Sequence, residues 1–170
     1  MFLVHHSGKS FTIKGDDKGS NEKEQGLLIK TIQEILNLIE INKQGNQGRK
    51  RFLSYSLKIN IFQVYNESIY DILSKDYSTD IKLLPSEDKK LKVNTAPLSP
   101  LISKEIRSLK DLEVIFKESN QFKKLLTQFL KVNDMNKKSN IVYSLTLEKI
   151  DNADIKRYVR KIKIGELLLK

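Results

Sequence analysis

The sequence predicts an α/β domain, with a mixed central β-sheet flanked by helices and at least one antiparallel hairpin. Three observations lead there. Apolar residues recur at three- and four-residue spacing over 28–39, 109–116 and 122–130, the period of a buried helix face. They alternate with polar residues over 55–61 and 141–147, the period of a strand. The two patterns interleave along the whole chain, without an internal repeat or a heptad run.

Each element follows in order. Gly26 opens a helix whose apolar face is Leu28, Ile32, Ile35, Leu36 and Ile39, ending near Ile41. Residues 42–51 (NKQGNQGRKR) read as a basic, glycine-containing loop. Tyr55, Leu57, Ile59 and Ile61 then alternate with Ser56, Lys58 and Asn60, and the strand runs on through Phe62 and Val64. The apolar run at that end predicts cover on both faces. A short helix is expected over Asn66–Leu73, capped by Asn66. Residues 75–90 are charged, with short strands expected at 81–84 and 91–93 before Pro97 and Pro100. Ser108 reads as an N-cap with Asp111 at the third helical position, ahead of Leu109, Leu112, Ile115 and Phe116. A second helical stretch is expected over 122–132. Ile141, Tyr143, Leu145 and Leu147 mark a strand, 151–154 a turn, and Tyr158–Leu169 the return strand. Gly165 within it predicts a bulge or a close backbone contact.

Composition narrows the function. The chain has 170 residues, 39% hydrophobic and 31% charged, which fits one folded domain. Unbroken apolar runs reach only about four residues, too short for a membrane-spanning helix. Met1–Val4 is likewise too short for a signal-peptide core, so the expected compartment is cytosolic or nuclear. With no cysteine, disulfides, thiolate metal sites and cysteine nucleophiles are excluded. The net charge is +10, from 26 Lys and 5 Arg against 21 acidic residues. The 12 Asn and only 2 Ala beside them mark a biased composition, so part of this basicity is background. Charge alone points to nucleic acid, but Arg and aromatic residues do not cluster with the lysines, so nucleic acid is not the expected partner.

One motif carries chemistry. Ser7-Gly8-Lys9-Ser10 matches the end of the phosphate-binding pattern G-x-x-x-x-G-K-[ST]. Such a loop turns backbone N–H groups toward phosphates, neutralises their charge with the lysine and offers the hydroxyl to Mg²⁺. Leu3 stands where the first glycine belongs, and His6 where a further glycine is frequent. By itself the tripeptide is weak evidence, and a surface turn is the blander account. His5-His6, Asp16-Asp17 and Glu22/Glu24 read as solvated loop residues rather than ligand sets. Gln47–Arg51 and the group Lys89, Lys90 and Lys92 read as solvated surface, or as faces toward an acidic partner.

The flanking segments resemble the kinesin motor family. Lys9–Gly15 (KSFTIKG) is similar to its P-loop continuation, GKT-aromatic-T-M-x-G. Gly26-Leu27-Leu28-Ile29 resembles the G-I-I-P helix opening, with Ile29 at the proline. Phe62–Leu73 (FQVYNESIYDIL) resembles the signature EIYNExIxDLL. Ser108–Lys117 is similar to the helix before switch I, and Ile162–Leu169 to the strand leading into switch II. The segments come in family order over nearly the whole chain.

The resemblance implies a partial P-loop NTPase of kinesin-motor-like fold over 1–170. Its P-loop lies near 3–10 and its degenerate switch I near 133–140. The chain ends just before switch II, so the N-terminal strands and the switch II half are expected to be lacking. It implies a microtubule motor that binds ATP and Mg²⁺, located in the cytoplasm on the cytoskeleton. The implied site is Ser7, Gly8, Lys9, Ser10 and Phe11, with Ser10 as the metal ligand; no catalytic residue is assigned. Microtubules (tubulin) and a kinesin-type partner chain are the implied partners, and a membrane is not. In the switch I pattern N-x-x-S-S-R-S-H, Asn133 and Ser139 match. Lys138 keeps the arginine's charge without its fork, Asn136 and Lys137 replace the paired serines, and Asn140 replaces the histidine. Nucleotide binding without turnover is therefore expected, and a non-catalytic kinesin-homology binding or scaffold module is the alternative. Unpaired strand edges and low stability are expected as well.

Overall fold

The computed structural model describes residues 8–15, 25–45, 53–65, 68–74, 80–82, 101–131, 139–151 and 156–166. Among these described residues three helices, α1 (Lys9–Lys14), α2 (Leu27–Gly45) and α3 (Leu109–Phe129), accompany six strands. These are β1 (Leu53–Tyr65), β2 (Ser68–Asp71), β3 (Asp80–Lys82), β4 (Lys104–Glu105), β5 (Asn140–Asp151) and β6 (Lys156–Glu166). The strand order is β3-β2-β1-β5-β6, with β4 also paired to β1. Every ladder among the described strands is antiparallel.

The centre of the sheet is the ladder of β1 with β5, running from Leu53↔Asp151 to Val64↔Asn140. Leu57, Ile59 and Ile61 face Leu147, Leu145 and Tyr143 across it. All but Leu147 are at most 1% exposed. The three helices supply the other half of this core through Ile13 of α1, Leu28, Ile32 and Ile39 of α2, and Leu112, Ile115, Phe122 and Leu126 of α3. Each such side chain contributes about 1.5–3 kcal/mol of transfer free energy. The opposite face carries a smaller cluster, Phe62 and Ile69 with Val64, Leu101 and Val142. Beyond it that face is polar, with Ser56, Lys58 and Asn60 opposite Glu148, Thr146 and Ser144. Ile61, Phe62 and Gln63 are buried in succession, which is the two-sided cover expected at this end of β1.

Several expectations are corrected. No helix forms over 68–71: Ser68–Asp71 is β2, paired with β1 from Phe62↔Asp71 to Tyr65↔Ser68. A short apolar run fits either period, and here the edge of β1 decides. The expected cap, Asn66, lies outside the described residues. The two helical stretches expected after Ser108 are one helix, α3. Its polar middle is tolerated because the buried Ser119 hydroxyl donates to the Phe116 carbonyl at 2.9 Å. Gly165 makes no bulge, since its pairing with Val142 continues the register without interruption. Helix α2 runs to Gly45, past the expected Ile41, with Asn42 Nδ2 donating to the Leu38 carbonyl at 2.7 Å. The start of α3 is as expected: Ser108 Oγ accepts from the Asp111 N–H at 3.3 Å, and the Asp111 carboxylate accepts from the Ser108 N–H at 2.9 Å. The strand expected at 91–93 lies outside the described residues.

Candidate functional site

The phosphate-loop candidate begins at Gly8, whose φ of 75° and ψ of 18° place it in the left-handed region just before α1. A residue with a Cβ is strained there by about 1–2 kcal/mol. The Gly8 carbonyl accepts from the Thr12 N–H at 2.9 Å and from Thr12 Oγ1 at 3.1 Å, closing the first helical turn. A helix start directs its first N–H groups and its positive dipole end outward. Ser10 and Phe11 are exposed on this turn. Of the predicted site, the structure therefore brings Gly8, Ser10 and Phe11 onto one turn, with the Lys9 backbone as the first helical residue. Ser7 and the Lys9 side chain lie outside the described residues.

What fixes this turn is the far end of α1. Ile13 is buried, and Lys14 Nζ sits 5.8 Å from the centroid of the Tyr143 ring on β5. Gly15 ends the helix at φ 87° and ψ −165°, a conformation open to glycine alone, and its N–H donates to the Phe11 carbonyl at 2.7 Å. Gly15 also bridges to Gln25. At Gly26 an added Cβ would lie 2.3 Å from the Gly15 nitrogen, the Ile13 oxygen and the Lys14 carbonyl carbon. The end of α1 is thus pressed against the start of α2, whose Leu28 and Ile32 are fully buried.

The last two residues of the switch I candidate, Ser139 and Asn140, sit at the end of the β1–β5 ladder. Residues 132–138, with Asn133, Asn136, Lys137 and Lys138, lie outside the described residues. On one side of them α3 closes with Lys131 at φ 51°, its N–H donating to the Gln128 carbonyl at 3.1 Å. On the other, Ser139 is buried and its Oγ accepts from Gln63 Nε2 at 2.5 Å. Gln63 is 1% exposed, and its Oε1 has no partner among the described residues. Asn140, at the histidine position of the pattern, is the first residue of β5 and pairs with Val64.

Sequence reasoning assigned no role to Gln63, Asn60 or Asp71. Asn60 Nδ2 donates to the Leu101 and Ile102 carbonyls and to Ser103 Oγ, at 3.1, 3.0 and 2.8 Å. The buried Asp71 carboxylate accepts from the Leu73 N–H at 2.9 Å and the Ile102 N–H at 2.7 Å. Burial pushes its pKa up, while the N–H groups of Ile102, Leu73 and Ser74 pull it down. Asn60 and Asp71 together fasten 101–103 to the sheet. The available signal was a polar residue inside an apolar strand run, which demands a buried partner.

The basic groups Gln47–Arg51 and Lys89, Lys90 and Lys92, the acidic pairs, and His5-His6 all lie outside the described residues. Among the described residues no cluster of His, Cys, Asp or Glu could hold a metal ion. No described helix is long and apolar enough to cross a membrane.

Comparison with known proteins adds the following. The family described as the kinesin motor domain matches residues 4–169. Kinesin-like protein KIN-14E of Arabidopsis thaliana is 26% identical over 150 residues, covering 85% of this chain and 10% of that protein. Kinesin-like protein KIN-14P of the same plant is 32% identical over 72 residues, covering 42% of this chain and 6% of that protein. A solved structure described as a fast kinesin superposes with a TM-score of 0.74 at 13% identity, covering 98% of this chain and 43% of that one. The motor and motor homology domain of Kar3Vik1 superposes with a TM-score of 0.66 at 21% identity, covering 98% and 38%. The chain thus spans a tenth or less of these curated relatives and under half of these solved chains.

Proposed function

Because the chain belongs to the kinesin motor domain family, we propose that it is part of a microtubule motor and binds Mg-ATP at the turn Gly8–Lys9–Ser10. The observation that carries this reading is Gly8 in a left-handed conformation at the start of a helix that bears Lys9 and Ser10. Backbone N–H groups of the turn would bind phosphate oxygens, and the Lys9 ammonium would neutralise their charge. Ser7 and Phe11 would flank the nucleotide. The residues present fit the group: among the described residues nothing lies within 4 Å of a Cβ placed on Gly8, where a phosphate would approach the turn. Ser10 is exposed, and its hydroxyl is a hard oxygen donor suited to Mg²⁺. Phosphate oxygens and water would supply further ligands to the ion.

Titration with a fluorescent ATP analogue tests this. Lys9→Ala should lower affinity about tenfold or more, a loss of roughly 1.4 kcal/mol. Ser10→Ala should lower it only when Mg²⁺ is present. Equal affinity of wild type and Lys9→Ala would refute the site.

A second reading is favoured by Asn140, which stands where the family pattern has histidine and is committed to the β5 ladder. It takes the chain as a non-catalytic kinesin-homology module on the cytoskeleton, joined to microtubules or to a kinesin-type partner chain. Microtubule cosedimentation that is insensitive to nucleotide supports this reading, and nucleotide-dependent cosedimentation supports the first.

A further inference from the structure

Helix α1 has only six residues, and a helix that short does not hold itself together in water. Its side chains divide by exposure. Gly8, Ser10, Phe11 and Thr12 are exposed, whereas Ile13 and Gly15 are buried and Lys14 is half-buried. The described anchors of the helix therefore lie at its C-terminal end, and the turn Gly8–Lys9–Ser10 projects about 9 Å from them.

Two of those anchors are packing contacts. Ile13 enters the main core, and the Gly15 backbone abuts Gly26. The third is directional. Lys14 Nζ stands 5.8 Å from the centroid of the Tyr143 ring, within reach of a cation–π attraction that grows as the pair is desolvated. The ring is itself fixed. Tyr143 is 1% exposed and lies between Ile61 of β1 and Ile164 of β6. Phe116 of α3 meets it with centroids 6.2 Å apart and an interplanar angle of 72°. Lys14 also brings its charge to the negative end of the helix dipole. Successive helical residues project about 100° apart, so Ile13 and Lys14 together fix both the tilt and the roll of α1.

We propose that Lys14 is a positioning residue for the nucleotide turn: seated on the Tyr143 ring, it holds α1 at the tilt and roll that present Gly8, Lys9 and Ser10 to phosphate. Its effect on nucleotide rests on the reading of that turn as a phosphate site, whereas its effect on α1 does not. A tilt of about 10° at the anchors carries the turn about 1.5 Å. That takes a phosphate oxygen out of the window of about 2.7–3.2 Å in which an N–H donates to it.

Titration with a fluorescent ATP analogue and residue-resolved hydrogen exchange, both on the full chain, test this. Lys14→Met keeps the bulk of the stem and removes the charge. It should weaken the analogue about three- to tenfold. It should also speed exchange at the Thr12 and Gly15 amides, which donate to the Gly8 and Phe11 carbonyls. Lys14→Arg keeps the cation and should restore both readouts to within about twofold of wild type. Tyr143→Phe keeps the ring and should change little. Phenylalanines of increasing ring fluorination at 143 keep its shape and weaken its negative face. Both readouts should then shift stepwise, and only while Lys14 is present. These analogues serve in place of Tyr143→Leu, which opens a cavity in the core. Unchanged affinity or unchanged exchange in Lys14→Met would overturn the proposal. So would a loss that Lys14→Arg does not recover, or one indifferent to ring fluorination, which marks helix-dipole or long-range charge effects alone. A wild type that binds no analogue would remove the nucleotide role of Lys14 together with the phosphate reading. Exchange at Thr12 and Gly15 would still decide whether Lys14 holds α1.

Discussion

Gly26→Ala tests whether α1 is held in place by its contact with α2. The added Cβ would stand 2.3 Å from three backbone atoms, Gly15 N, Ile13 O and Lys14 C. No side chain can swing away to admit it, so the helix junction must open by about 1 Å to restore ordinary contact. Overpacking of this kind costs about 1–3 kcal/mol, and a rigid backbone partner puts this case near about 3 kcal/mol. In a domain of this size each kcal/mol moves Tm by about 2–4 °C, so a fall of about 6–12 °C is expected by scanning fluorimetry. Gly8→Ala is the contrasting variant. Its Cβ meets nothing within 4 Å among the described residues, so the left-handed strain of about 1–2 kcal/mol is the expected cost. The two should also differ in how they act on nucleotide. Gly8→Ala alters the turn directly, whereas Gly26→Ala weakens binding only by displacing α1 from a distance. A Gly26→Ala protein melting within about 2 °C of wild type would refute the close approach and the positioning argument built on it.

Two further outcomes follow from buried polar groups. Ser139→Ala leaves Gln63 buried without the acceptor it now has, a loss of about 1–3 kcal/mol by urea denaturation. Adding Gln63→Leu should recover much of it, and strictly additive losses would contradict a direct interaction. Asp71 gives a pH signature. Its folded pKa is raised above 3.8, so its contribution to stability is greatest below pH 3.8 and falls as pH rises through the folded value. Asp71→Asn removes that decline, so the stability of the variant relative to wild type should rise between about pH 4 and 7. A relative stability that falls with pH would contradict the assigned sign. Glu148 has the opposite sign: the Arg157 hydrogen bond lowers its pKa below 4.5, and its stabilisation is lost as pH falls through that lowered value. It is common to both proteins and cancels in the comparison.

Much of the architecture could be read locally. Leu57, Ile59 and Ile61 on β1 and Tyr143 and Leu145 on β5 alternate because one face of each strand is buried, and that period survives in the residue order. The start of α3 was legible because a capping box is a four-residue device, complete in Ser108 and Asp111. What was illegible depends on partners distant in the chain. The segment Ser68–Asp71 has the composition of either element, and the free edge of β1 made it a strand. Gln63 showed a polar side chain among apolar neighbours, but its partner is 76 residues away. At the candidate site, Gly8-Lys9-Ser10 was visible as a motif. The contact of Gly26 with Gly15 was not, since it joins residues that are not neighbours in the chain.

The separate motifs meet at a residue that belongs to none of them. Tyr143 drew notice only as one apolar position of a strand, yet it is 1% exposed and lies opposite Ile61 at the centre of the sheet. Lys14, at the end of the helix that bears the phosphate turn, sits over its ring. Phe116, on the helix that leads toward the switch I candidate, meets the ring edge-on with centroids 6.2 Å apart. Two positions earlier on the same strand face, about 7 Å away, Ile141 pairs with Gln63, which holds Ser139. Lys14 at the end of α1, Phe116 on α3 and Ser139 are therefore all tied to a few core positions of β1 and β5. A change there that leaves Lys9, Ser10 and Ser139 untouched can still move the helices that present them, because a packed interior transmits displacement rather than absorbing it.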